Sequence, residues 1–114
     1  MTAQADVTRH PLPGSDFPIS QAVEVSADTT IVYHSGMVPG PANPDAERYS
    51  PEFWGDTEAQ TLSVFGRLEE SLKAKGLDFG DVIKMQIFLV APEGEKMMDF
   101  QGMLVEIEVV LARP

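Results

Sequence analysis

Glu106 and Glu108 stand two residues apart in the stretch Leu104-Val105-Glu106-Ile107-Glu108-Val109-Val110-Leu111. In a strand, residues at i and i+2 share a face, so the two carboxylates would project together. Such a face is ordinarily solvated. This strand is otherwise apolar and reads as an inner one, where a held carboxylate suits proton transfer. The other chemistry-bearing residues organise less well. The two histidines, His10 and His34, lack ligand spacing, so no metal site is expected. His34-Ser35 has the composition of a hydrolase pair, but strand neighbours point to opposite faces and cannot meet. Cysteine is absent, which excludes disulfides, thiolate zinc sites and cysteine nucleophiles. Gly36, Gly40 and Gly55 match neither glycine-rich phosphate template.

The elements that would position these groups can be read from hydropathy periods. Residues 1–16 carry Pro11, Pro13 and Gly14 and read as an extended arm. Ser20–Val25 and Thr30–Ser35 read as strands around a Ser26–Thr29 turn, and a hairpin between them is expected. Gly36–Phe53 is punctuated by Pro39, Gly40, Pro41, Pro44 and Pro51 and reads as a long ordered loop. Tyr49 within it and Trp54 just after it are expected to anchor the loop as packed aromatics, with a cleft lid as the alternative. Asp56 is a good N-cap for a helix whose Thr61, Val64, Phe65, Leu68 and Leu72 share one face, and Gly76 would end it.

Val82–Val90 reads as a strand, with Ile83, Met85, Ile87 and Leu89 facing the helix. Met97, Phe100 and Met103 give a short helical signal over Glu95–Met103. Leu104–Leu111 closes the chain as a strand. The order β-β-α-β-α-β predicts an α+β fold, with helices on one face of a mixed sheet. The other face, carrying Ala22, Phe88 and Val110, would need cover from a partner subunit. The junction at Gly102–Leu104 is cramped, because αβ connections usually take about 2–6 residues. Either the second helix is very short, or a segment is missing between Gly102 and Leu104. Deleting an interior strand would leave backbone unpaired, so the second is expected. An intact mass near 12.5 kDa would contradict it.

The length of 114 residues suits one small domain, and 43% hydrophobic residues suit a globular core. The net charge of −10 disfavours phosphate backbones as partners, so nucleic-acid binding is not expected. The polar N-terminus shows no secretory h-region and no apolar run reaches membrane-spanning length, so a cytoplasmic location is expected.

The motifs also line up, in order, with a known family. Pro18-Ile19-Ser20-Gln21-Ala22-Val23, His34-Ser35-Gly36-Met37-Val38-Pro39, Asp56-Thr57-Glu58-Ala59-Gln60-Thr61, Asp81–Leu89 and Leu104–Glu108 resemble successive stretches of the YjgF/RidA family. The resemblance implies a chorismate-mutase-like α+β fold and a homotrimer with clefts at the subunit interfaces. It implies hydrolytic deamination of small reactive enamines or imines to 2-oxo acids and ammonia, without cofactor or metal. Glu106 would be the catalytic, water-handling glutamate. Ser35, Gly36 and Ile19 would bind a small carboxylate-bearing substrate. Two departures stand out: Ile19 replaces an aromatic, and the family's arginine stretch before the last strand has no counterpart. A non-catalytic binding trimer is therefore an alternative, and an endoribonuclease a weaker one.

Overall fold

The structure, a computed structural model, describes residues 5–90 and 103–114. Strands β1 (Val7–Pro11), β2 (Ser20–Val25) and β3 (Thr30–Met37) are followed by helices α1 (Pro51–Trp54) and α2 (Thr57–Lys73). A 3₁₀ turn at Phe79–Asp81 leads into β4 (Val82–Leu89), and β5 (Val105–Arg113) closes the chain. The class is α+β. The expected helix over Glu95–Met103 falls outside the described residues, except for Met103, which forms an isolated bridge.

Helix α2 forms as its sequence dictates. The Asp56 carboxylate accepts from the Ala59 amide at 2.8 Å. Val64, Leu68 and Leu72 are fully buried. At the other end Leu77 donates to the Leu72 carbonyl and Gly76 to that of Lys73. Gly76 adopts φ 72°, the left-handed conformation that this termination requires. The helix lies on β5, whose Val105, Ile107, Val109 and Leu111 are at most 3% exposed and complete the core.

The strand pairings among the described residues are antiparallel and form two sheets, β1-β2 and β3-β5-β4. This corrects three expectations. The segment read as an arm contains β1, which pairs with β2 from Val7↔Val25 to Pro11↔Ser20. Prolines sit at the end of this strand and beyond, where a missing N–H interrupts no ladder. The Ser26–Thr29 turn closes through Thr29 N to Ser26 O. The strands it joins then separate, because β3 pairs with the apolar β5 rather than with β2, half of whose residues are exposed. Finally, Met85, Ile87 and Leu89 lie on the helix side of β4 but stay 38%, 49% and 66% exposed. A helix about 10 Å wide covers about two strands spaced 4.8 Å apart, and α2 covers β5 and β3. Among the described residues β5 is central in its sheet, paired directly with both β3 and β4.

Candidate active site

Glu106 projects from β5 on the face opposite α2, paired across the ladder with Phe88 of β4. On its other side the β3–β5 register shifts between His34↔Val109 and Met37↔Ile107. Ser35 and Gly36 occupy this bulge. The bulge carries Gly36 against the Glu106 side chain so closely that a Cβ on residue 36 would lie 2.8 Å from Glu106 Cδ and 3.1 Å from Cγ. Only a residue without a side chain permits that approach. The carboxylate makes no hydrogen bond or ion pair with another described residue and is half-buried, so it is available to water and ligand.

Beside it lies a small hollow, partly open to solvent and lined by Val38, Phe88, Val90, Met103, Leu104, Val105 and Glu106. Its walls are apolar with one acid at the rim. That combination suits a small organic ligand whose reacting atom sits at the carboxylate. Glu108, on the same face, pairs with Gln86 and does not line the hollow. Ile19 stands immediately before β2, in the other sheet, and is 55% exposed. It does not line the hollow within this chain.

Periodicity had marked α2 only by its apolar stripe. The structure shows a second, polar line along it, at Gln60, Ser63, Arg67 and Ser71. Ser71 Oγ bonds His34 Nε2 at 2.7 Å. Because His34 Nδ1 meets the Ser35 carbonyl at 2.7 Å and must donate there, a neutral ring accepts the serine proton. Arg67 Nη1 donates to the Val38 carbonyl at 2.7 Å. Ser63 Oγ accepts from the Gly40 amide at 2.9 Å. Gln60, fully buried, donates to the Gly55 carbonyl at 3.0 Å and accepts from the Leu104 amide at 2.7 Å. The signal in the sequence was polar residues recurring at intervals of three and four, which a solvated helix face also shows.

The aromatic residues of the long loop pack on one another. Tyr49 stacks on Trp54 at 6.1 Å and Phe53 meets Trp54 edge-on at 4.9 Å, with Trp54 buried. The Arg48 guanidinium lies 5.0 Å from the Tyr49 ring centre. These contacts anchor the loop, with Tyr49 held at φ 66°. Of the other arginines, Arg9 donates to the Val82 carbonyl and Arg113 to that of Lys75. Among the described residues, no group of three or more acids and histidines could hold a metal. None of the described helices is long and apolar enough to cross a membrane.

A small α+β domain with a glutamate set over a glycine bulge agrees with the motif order read along the chain. Residues 12–100 match the family described as Endoribonuclease L-PSP, and the chain belongs to this family, the YjgF/RidA family. A comparison with curated proteins finds no match.

Proposed function

We propose that this protein hydrolyses small reactive imines, and enamines that tautomerise to them, releasing an oxo compound and ammonia. The observation that carries this reading is the Glu106 carboxylate over the Gly36 backbone at the rim of an apolar hollow. Water adds across the C=N bond: its oxygen bonds to carbon while Glu106 takes its proton and returns it to nitrogen. In the carbinolamine the hydroxyl proton then passes by way of Glu106 to the amino nitrogen, and ammonia leaves as the C–N bond breaks and the C=O bond forms. No electrons enter or leave, so the reaction itself needs no redox partner. Backbone groups of Ser35 and Gly36 would orient the substrate, a small molecule that carries a carboxylate as the family resemblance implies. Clefts between the subunits of a homotrimer would complete the site, with Ile19 contributed there.

The test is 2-oxobutanoate formation from 2-iminobutanoate generated in situ. The protein should accelerate it, and Glu106→Ala should lower the rate by about 10²–10⁴-fold, the usual worth of a positioned acid–base group. No acceleration by the parent protein sinks the proposal. A second reading, a non-catalytic small-molecule-binding trimer, is favoured by the exposed Ile19 and by the ties of Arg9, Arg67 and Arg113 to backbone carbonyls, which occupy groups that would hold a substrate carboxylate. Calorimetric binding of 2-oxobutanoate without turnover of the imine would select it. Endoribonuclease activity is the weakest reading, because the net charge of −10 opposes an RNA backbone.

A further inference from the structure

The polar line on α2 has one common target. Read from the C-terminal end of the helix, its side chains grip the segment 34–40 in order. Ser71 holds His34, Arg67 holds the Val38 carbonyl and Ser63 holds Gly40. These contacts bracket Ser35 and Gly36 from both sides, yet none touches the bulge itself. A bulge leaves local ladder groups unpaired, so its position is set by its flanks. Here the flank toward the hollow is set from α2, through Arg67 and Ser63.

We propose that Arg67 is a positioning residue for the Glu106 site, acting through the Val38 carbonyl to fix the Gly36 backbone in front of the carboxylate. Arg67 is exposed, and the neighbouring core positions Val64 and Leu68 are filled without it. Its hydrogen bond is charge-assisted and, at 2.7 Å, one of the shortest holding the segment. The guanidinium stem also packs beside Gly40, with Cδ 3.7 Å from where a Cβ on that residue would be. Val38 lines the hollow, so releasing its carbonyl would move a wall of the site as well as the bulge. The assignment of a catalytic role at this site rests on the imine-hydrolysis reading. The mechanical coupling from Arg67 to Gly36 does not.

The experiment therefore has two readouts on the full chain, for Arg67→Ala and Arg67→Lys. The first is hydrogen exchange at the Gly36, Met37 and Val38 amides, with those of Ile31 and Val32 as an internal control. Arg67→Ala should raise exchange at least about tenfold at positions 36–38 and leave the control unchanged. Arg67→Lys, which retains a cationic donor, should restore most of the protection. Equal exchange in parent and Arg67→Ala overturns the proposal, whether or not the protein is an enzyme. The second readout is steady-state hydrolysis of 2-iminobutanoate. Arg67→Ala should lose about tenfold to a hundredfold in kcat, as small misplacements of reacting groups do, with a smaller change in KM. A purely structural residue would instead lower the melting temperature and the active fraction while leaving kcat per folded molecule intact, and that result also overturns the proposal. An inactive parent refutes the hydrolysis reading alone, and the exchange comparison still decides the coupling.

Discussion

A methyl group at position 36 would overlap Glu106 Oε1 and sit 2.8 Å from its Cδ. The obstacle is the end of a flexible side chain, so the clash can be relieved by rotating Glu106 rather than by moving backbone. Stability should then change little while the carboxylate leaves the site. Gly36→Ala is expected to cost about 1 kcal/mol or less, a melting shift below about 8 °C. Its rate of imine hydrolysis should fall by about 10²-fold or more, in line with loss of an acid–base group. If both effects act through one carboxylate, Gly36→Ala combined with Glu106→Ala should be no slower than Glu106→Ala alone. Additive losses in that double-mutant cycle would show that Gly36 and Glu106 act separately.

At the scale of elements, Gln60 decides how the start of α2 meets the start of β5. It is fully buried, and its amide joins the Gly55 carbonyl to the Leu104 amide. Gln60→Leu keeps much of the volume but leaves both backbone groups without this partner. Each buried unpaired group costs about 1–3 kcal/mol, so chemical denaturation should show a loss of at least about 1 kcal/mol. An unchanged midpoint would mean that water replaces the amide without cost. Gln60 also marks the limit of what the sequence made legible. The α2 core stripe, its Asp56 cap and the Gly76 stop were readable because spacing and cap chemistry are local. So was the alternation of β5, and with it the face of Glu106. Strand partners were not readable, because alternation fixes which face a residue takes and says nothing about which strand lies alongside. Hence β1 was missed, and β2 was given to β3. Glu106 stood out, together with Glu108, from its place in an apolar strand, and the family resemblance chose it over Glu108 and singled out Gly36. The meeting of Gly36 and Glu106 depends on the register shift between His34 and Met37, which no hydropathy pattern encodes.

The whole molecule exposes more surface than a monomer of its size should. A compact chain of this mass has about 6,200 Å² accessible and a radius of gyration of about 13 Å. This chain shows 7911 Å² and 16.8 Å. Among the described residues the fold is open in two places: the β1–β2 pair stands outside the three-stranded sheet, and β4 keeps large apolar side chains exposed. The sheet face opposite α2 presents Tyr33, 80% exposed, beside Val110, with Phe88 further along. That face also carries Glu106, so a subunit laid against it would wall the site. The proposed homotrimer would bury these groups, and a stable contact needs about 800 Å² from each partner. Native mass spectrometry should find a trimer, and the subunit mass in the same spectrum tests the missing segment, which a value near 12.5 kDa would exclude. Tyr33→Arg puts a charge in the middle of that face and should shift the population to monomer, with loss of imine hydrolysis as the clefts separate. In the isolated subunit β5 keeps its partners and α2 its core, so the monomer should retain its strand and helix signals in circular dichroism. A parent protein that is monomeric at tens of micromolar would rule out the trimer, and the site would then have to work with the residues of one chain.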